Sequence, residues 1–108
     1  MSKREQTRSR ILAAAWQLFK DNGYEKTSTR DISAAAGVAT GTVFSHFPNK
    51  IDLLKSGLEV QLTNLLVTTA ESDTSETAKD RLLHFASALY PFYISQREFS
   101  KELFKEIL

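Results

Sequence analysis

Side chains that can bind a polyanion are concentrated between residues 27 and 50, in the run TSTRDISAAAGVATGTVFSHFPNK. Arginine carries a rigid fork of donors that matches guanine or phosphate, hydroxyl groups can donate or accept, and lysine adds a positive charge on a flexible stem. The members of this set are Thr29, Arg30, Thr40, Thr42, Ser45, His46 and Lys50. Their hydrogen-bonding capacity is suited to the base edges and phosphates of duplex DNA.

The sequence offers little for catalysis. It has no paired carboxylates, no nucleophile with an adjacent base and no glycine loop of the kind that cradles phosphates. The absence of cysteine excludes disulfides and thiolate metal sites, and the two histidines, His46 and His84, lack any metal-ligand spacing. We therefore expect a protein that is not an enzyme and that holds no metal or cofactor.

Two short helices must position the polar set. Ser28, with Asp31 three residues later, can form a capping box, which predicts a helix that begins near Thr29. Gly37 can adopt the positive φ that ends such a helix, and a second helix is predicted from about residue 40 to 47. Two helices joined by a short glycine turn form a helix-turn-helix.

Apolar spacing predicts helices in the rest of the chain as well. They run from about Glu5 to Asn22, Lys50 to Ala70 and Glu76 to Ser95, with a sixth helix that begins near Glu98. The predicted fold class is all-α: a three-helix bundle with a helix-turn-helix, then a connecting helix and a truncated helical C-terminal regulatory domain. The predicted domains are residues 1–49 and 50–108.

The sixth helix is the reason for predicting a truncation. Its apolar stripe continues to the C-terminus and consists of Phe99, Leu103, Phe104, Ile107 and Leu108. A helix that stops within its own apolar pattern leaves that face without an intramolecular partner. We therefore expect the chain to be an N-terminal fragment.

Charge is distributed unevenly along the chain. Residues 1–50 hold eight Lys or Arg against four acids, a net charge of +4, whereas the remainder holds six bases against nine acids, a net charge of −3. A basic half that carries the helix-turn-helix favours a nucleic-acid face. Lys3, Arg4 and Arg8 are candidates for a mobile basic arm that reaches the DNA, with a solvated terminus as the alternative.

Membrane insertion and export are not expected. The longest apolar runs are a few residues, against the roughly 20 that a bilayer-spanning helix needs. The first ten residues are polar and basic and lack the apolar core of a signal peptide. We therefore expect a cytoplasmic protein.

Many positions between residues 10 and 54 follow one long pattern. The matching residues are Arg10, Ile11, Leu12, Ala14, Ala15, Leu18, Phe19, Gly23, Tyr24, Thr27, Arg30, Asp31, Ile32, Ala36, Gly37, Val38, Gly41, Phe47, Pro48, Lys50 and Leu54. On these residues the chain resembles the DNA-binding domain of TetR-type bacterial transcriptional regulators. The resemblance covers roughly the first half, whereas the second half fits the family only in being helical and apolar on one face.

The resemblance implies that the second helix of the motif enters the major groove. We expect Arg30 to grip guanine with two donors, and Thr40 and Thr42 to contact bases through hydroxyl and methyl groups. Gly41, without a side chain, allows the backbone to approach a base edge. For Arg30 the alternatives are a phosphate contact or a surface ion pair with a neighbouring carboxylate.

Five more residues are assigned to the DNA backbone. Thr29 and Lys50 lie near helix N-termini, where amides and the helix dipole favour a phosphate, and Ser45 and His46 lie on the second helix. Phe44 stands where the family usually has a tyrosine, so we expect an apolar contact with a sugar or thymine methyl group. For His46 a structural hydrogen bond is the alternative.

The resemblance also implies a C-terminal body that encloses a small-molecule effector and forms a homodimer, which would bind an inverted-repeat operator. Candidate pocket residues are His84, Phe85, Tyr90 and Tyr93, for which packing in an ordinary core is the alternative. The resulting interpretation is a sequence-specific, effector-responsive repressor.

A function of another class remains open at this stage. The chain could be a small helical interaction module that docks a partner through its apolar C-terminal helices. The dependence of binding on salt distinguishes the two, because phosphate binding falls steeply with salt and apolar docking does not.

Overall fold

The computed structural model describes residues 2–97, 99, 101, 102 and 105, and the elements assigned within them are all α-helices. The helices are α1 (Lys3–Asn22), α2 (Thr29–Ala36), α3 (Thr40–His46), α4 (Lys50–Glu71) and α5 (Ala78–Ser95). The predicted all-α fold class is confirmed. The chain divides into two compact units, Met1–Gly57 and Leu58–Leu108, so that α4 contributes to both.

Helix α1 begins two residues earlier than predicted because Ser2 caps it. The Ser2 hydroxyl accepts a hydrogen bond from the Glu5 amide at 3.1 Å. Arg4 and Arg8 are therefore helical and do not form the irregular arm that their position near the terminus suggested. The helix ends at Gly23, whose φ of 89° lies in the region that favours glycine.

The helix-turn-helix has the predicted caps. The Ser28 hydroxyl accepts from the Asp31 amide at 3.0 Å, and the Asp31 carboxylate accepts from the Ser28 amide at 3.1 Å. Gly37 ends α2 with a φ of 71°, and α3 ends at Phe47 before Pro48. Helices α2 and α3 therefore begin and end where the local capping pattern predicts, to within one residue.

The first unit has a closed core made by α1, α2, α3 and the start of α4. Its buried apolar side chains are Ile11, Leu12, Ala15, Trp16, Phe19, Ile32, Ala36, Val43, Phe47, Leu53 and Leu54. Gly57 brings α4 close to α1, because a Cβ atom built there would lie 2.6 Å from Cε3 of Trp16. A side chain at position 57 would therefore require the Trp16 ring or one of these helices to move.

The second unit consists of α4 from Leu58 onward, α5 and the segment between them. Thr77 caps α5 by accepting from the Asp80 amide at 3.1 Å. Asp73 accepts from the Ser75 amide at 2.9 Å and pairs with Arg81 at 3.1 Å. No residue of α5 is buried, and large apolar side chains of the described part of the unit remain exposed, among them Leu82, Leu83, Tyr90, Tyr93 and Ile94.

The predicted domain boundary and the predicted sixth helix remain predictions. The division into compact units lies within α4 and not at its first residue, because Leu53, Leu54 and Gly57 pack with the first unit. The predicted partition into residues 1–49 and 50–108 thus remains a functional hypothesis. Of the predicted sixth helix, residues 99, 101, 102 and 105 are described and are helical, whereas the rest of it and most of its apolar stripe fall outside the described residues.

Within the described part of the chain, none of the helices combines the length and the apolarity that crossing a bilayer requires.

Candidate nucleic-acid interface

The turn of the helix-turn-helix is held by both backbone and side-chain bonds. The Val38 amide donates to the Ser33 carbonyl at 3.0 Å, and the Gly37 amide donates to the Ala34 carbonyl at 3.2 Å. The hydroxyls of Ser33 and Thr40 lie 3.2 Å apart and join α2 to α3. The structure therefore fixes the angle between these helices through a contact that sequence analysis missed at Ser33, which is buried and polar.

The predicted base-reading residues lie at the start of α2 and of α3. Arg30 is exposed, and no hydrogen bond or ion pair joins its side chain to Asp31, Glu25 or any other described residue. Thr40 is exposed although its hydroxyl meets Ser33, and Thr42 is half-buried. The surface ion pair considered for Arg30 is thus not formed, and its guanidinium is available to a ligand.

Gly41 is exposed, and a Cβ atom placed on it would meet no protein atom within 4 Å. Its φ is not positive. Neither packing nor backbone conformation in the free protein therefore requires glycine at this position.

Adjacent residues of α3 face opposite surroundings. Val43 is fully buried, whereas Phe44 leaves 46% of its surface exposed. An exposed phenylalanine leaves apolar surface in contact with water, which is unfavourable. Phe44 is therefore a candidate for contact with an apolar group of a ligand. Phe44 thus lies on the outer surface of α3.

The side chains predicted to contact the DNA backbone differ in whether their polar atoms already form hydrogen bonds within the protein. Thr29 is half-buried at the first position of α2. The Ser45 hydroxyl donates to the Thr42 carbonyl at 2.8 Å, so its proton is used within α3 and only its lone pairs face outward. Ser45 therefore offers an acceptor, which suits a base edge or water better than an anionic phosphate.

His46 lies beside two arginines of α1. Arg4 Nη2 donates to the Ser45 carbonyl at 3.4 Å, and the Arg8 guanidinium lies 4.6 Å from the centre of the Phe47 ring. Burial of the imidazole, together with the positive charges of Arg4 and Arg8, lowers the pKa of His46 below its ordinary value of 6.5. Arg4 and Arg8 therefore bring positive charge close to His46 at the end of α3.

Lys50 is directed at the loop between α1 and α2. Its Nζ donates to the carbonyls of Tyr24 and Thr27 at 2.8 and 3.2 Å. The same ammonium lies 4.2 Å from the centre of the Tyr24 ring, within the range of a cation–π interaction. Lys50 was predicted to contact the DNA backbone, but its ammonium is bound by carbonyls and an aromatic ring of the protein.

Charge in the first unit is left largely unneutralised. The ion pairs among the described residues are Arg81–Asp73 and Lys105–Glu102, both in the second unit. The basic side chains of the first unit are thus held by carbonyls and aromatic rings or face solvent. Such an arrangement favours an anionic ligand.

The candidate effector residues do not converge within the second unit. His84 Nε2 lies 3.0 Å from the Thr69 carbonyl and 3.2 Å from the Ser72 hydroxyl, at the end of α4, and Phe85 meets the imidazole edge-on. Tyr90 and Tyr93 leave 68% and 58% of their surfaces exposed. The described residues therefore show a hydrogen-bonded histidine and two exposed tyrosines.

Residues 11–56 match the pattern of the bacterial regulatory proteins of the tetR family. Over 81 residues, which are 72% of this chain and 43% of the relative, the sequence is 42% identical to an HTH-type transcriptional repressor of Mycobacterium tuberculosis. It is 33% identical to an HTH-type transcriptional regulator of Bacillus subtilis over 100 residues, 93% of this chain and 52% of the relative. The chain spans about half the length of the curated relatives it matches.

Solved structures with the same fold include two regulators of this kind. FadR of Thermus thermophilus, a repressor determined in complex with lauroyl-CoA, is 26% identical with a TM-score of 0.76, and the match covers 93% of this chain and 52% of FadR. A regulator from Shewanella is 32% identical with a TM-score of 0.67, over 87% of this chain and 50% of that one. The names describe regulators of transcription, and none of them describes an enzyme.

Proposed function

The chain belongs to the tetR family of bacterial regulatory proteins, and we propose that it is a sequence-specific regulator of transcription that binds double-stranded DNA, most simply as a repressor. The observation that carries the proposal is a helix-turn-helix whose outer surface presents the unpaired Arg30, the open position Gly41 and the exposed Phe44. The excess of positive charge in the first half of the chain supports it.

In this proposal α3 enters the major groove. Arg30, Thr40 and Thr42 contact base edges, and Gly41 allows the backbone to come close to them. Because the Ser33 hydroxyl donates to the Arg30 carbonyl at 2.8 Å, the Thr40 hydroxyl is the donor in the Ser33–Thr40 contact. This leaves the Thr40 methyl group and two acceptor lone pairs for the base, so Thr40 discriminates by shape and by acceptance, not by donation. The sharpest base contact is that of Arg30.

The DNA backbone is contacted by Thr29 and His46, with Phe44 against a sugar or a thymine methyl group. Ser45, the other predicted contact, can donate to a phosphate only if its hydroxyl releases the Thr42 carbonyl. Arg4 and Arg8 belong to the same set, because they lie beside His46 at the end of α3. Lys50 is the remaining predicted contact, but to reach a phosphate it must release the loop carbonyls or use its third proton.

The whole protein is proposed to be a cytoplasmic homodimer that binds an inverted repeat and releases it in response to a small molecule. Two half-sites raise the apparent affinity through effective concentration. A gamma-butyrolactone receptor, 37% identical with a TM-score of 0.65, is another of the related structures. By analogy the effector is a small organic molecule, and His84, Phe85, Tyr90 and Tyr93 stay the candidate residues that contact it.

Selection of DNA from a random duplex pool tests the proposal. The chain, and the same chain fused to a dimerising coiled coil, are each incubated with the pool at low and high salt, and the retained DNA is sequenced. Enrichment of an inverted repeat by the fused chain, with retention that falls as salt rises, is expected. Retention of no DNA by either form would favour the helical interaction module.

A further inference from the structure

The loop between α1 and α2 is short and closely packed at both ends. The Tyr24 ring packs on Phe19 with a distance of 5.2 Å between ring centres. Thr27 is buried, and its hydroxyl donates towards the carbonyls of Gly23 and Leu18 at 2.8 and 3.3 Å. The path of the chain into α2 is therefore set by contacts with the end of α1.

Two carbonyls of this loop accept from a residue far along the chain. The Lys50 ammonium, at the first position of α4, binds Tyr24 and Thr27 and lies over the Tyr24 ring. A hydrogen bond from a charged donor is stronger than one between neutral groups. The Tyr24 carbonyl also accepts from the Thr27 amide at 3.3 Å, so loss of the ammonium would chiefly affect the Thr27 carbonyl, and a part-buried carbonyl without a partner is costly. Lys50 thus joins the start of α4 to the loop with three interactions.

The loop leads directly into the DNA-facing end of α2. Ser28, the residue after Thr27, caps α2 through its bonds with Asp31, and Arg30 follows two positions later. A displacement of the Thr27 carbonyl would therefore move the cap and the base-reading arginine with it.

We propose that Lys50 is a positioning residue for DNA binding, which holds the loop and the N-terminus of α2 in the conformation that binds DNA, and does not itself contact a phosphate. The inference rests on the proposed function. In this inference Lys50 affects DNA binding by positioning Thr29 and Arg30, which make the contacts. It also predicts that the neutral Tyr24 ring contributes to DNA binding, because that ring is part of the contact with Lys50.

The salt dependence of DNA binding separates the two roles of Lys50. Binding of the selected operator and of a fluorescent random-sequence duplex is measured over a series of salt concentrations for the chain, Lys50→Met and Lys55→Met. Lys55 is exposed in the same helix, so Lys55→Met shows the effect of losing one charge alone. A lost phosphate contact reduces the slope of log K against log salt by about 0.9.

Lys50→Met is expected to bind several-fold more weakly than Lys55→Met while both have the same salt slope. A slope lower than that of Lys55→Met by a full phosphate contact would overturn the positioning role, as would unchanged affinity. Lack of salt-dependent binding by the unmodified chain would overturn the proposed function itself and with it this inference.

A measurement without DNA tests the loop directly. Amide hydrogen exchange of Asp31, whose N–H is bound in the α2 cap, is expected to accelerate in Lys50→Met and to stay unchanged in Lys55→Met. Equal exchange rates in the two variants would overturn the proposed hold on the loop, whatever the DNA measurement gives.

Variants of Tyr24 keep the test valid if Lys50→Met does not fold. Tyr24→Leu removes the ring beneath the ammonium, whereas Tyr24→Phe keeps it and removes only the hydroxyl. We expect weaker DNA binding for Tyr24→Leu, near-normal binding for Tyr24→Phe, and no change of salt slope in either. Equal binding by both variants would contradict the inference.

Discussion

The two compact units are both built from helices but bury them differently. In the first unit, side chains such as Ile11, Phe19 and Leu54 lose nearly all contact with water. In the described part of the second unit the buried residue is Thr69, and no residue of α5 is buried. The comparison teaches that an apolar helical pattern predicts a helix, whereas burial depends on what is packed against that helix.

The largest expected contrast comes from removing one apolar side chain in each unit. Phe19→Ala should lower the free energy of unfolding by about 3 to 5 kcal/mol, because it leaves a cavity in a closed core. Leu82→Ala, at a side chain that is 70% exposed, should change it by less than about 0.5 kcal/mol. Urea unfolding measures the two variants, followed by the fluorescence of Trp16, the single tryptophan, for Phe19→Ala and by circular dichroism for Leu82→Ala. Similar losses would mean that α5 is buried in solution.

Two glycines within the first unit sharpen the comparison between packed and open positions. Gly57→Ala should destabilise by about 1 to 3 kcal/mol despite the better helix propensity of alanine, because the new Cβ meets Trp16. Gly41→Ala should be neutral or stabilising by up to about 1 kcal/mol, since nothing lies near its Cβ. Thermal unfolding checks both, and Gly41→Ala is expected to weaken DNA binding nonetheless.

One arginine in each unit tests where the DNA contacts lie. Arg30→Ala should weaken binding to the selected operator by about 1 to 3 kcal/mol more than binding to random duplex. Arg81→Ala removes an arginine that already pairs with Asp73 and should leave that difference unchanged. Fluorescence anisotropy titrations with both DNAs give the values. If Arg30→Ala lowers the binding free energy equally for operator and random DNA, Arg30 contacts a phosphate and does not read a base.

The same cap occurs in both units and can be removed from each. Ser28→Ala in α2 and Thr77→Ala in α5 each delete a hydroxyl that binds the third residue of its helix, at a typical cost of about 1 kcal/mol. We expect Ser28→Ala to shift the unfolding transition reported by Trp16. Thr77→Ala should instead reduce helical circular dichroism before that transition. A common shift for both would indicate that the units unfold together.

The smallest expected effect is a dependence of stability on pH. Because the pKa of His46 is lower in the folded chain than its ordinary value of 6.5, the unfolded chain takes up a proton first as the pH falls. The free energy of unfolding should therefore decrease as the pH drops from about 6.5 towards the lowered pKa. His46→Gln should remove this part of the pH profile, measured by urea unfolding at several pH values. If the pH dependence of the free energy of unfolding is unchanged in His46→Gln, another group is responsible for it.

Local chemistry made much of the first unit predictable. The capping box of Ser28 and Asp31, the positive φ of Gly37 and the apolar spacing of α1 all involve residues within four positions of one another. These interactions can be inferred from the order of residues alone, because helix geometry brings such positions together. The fold class and most helix boundaries followed from them.

The side-chain contacts of the candidate interface were not predictable in the same way. Arg4 and Ser45 are 41 positions apart, and Lys50 and Tyr24 are 26 positions apart. Their proximity results from how the helices pack, which no local pattern encodes. For this reason sequence analysis assigned Lys50 to the DNA backbone and placed Arg4 in an arm, whereas the structure directs both at carbonyl groups of the first unit.

The contact between Trp16 and Gly57 has a consequence for how this protein can diverge over evolution. No amino acid other than glycine fits at position 57 while an indole occupies position 16 in this arrangement. A homologue that carries a larger residue at 57 should therefore carry a smaller one at 16, so substitutions at the two positions should covary. Replacing Trp16 with leucine should accordingly make alanine at position 57 acceptable, although each change alone is harmful.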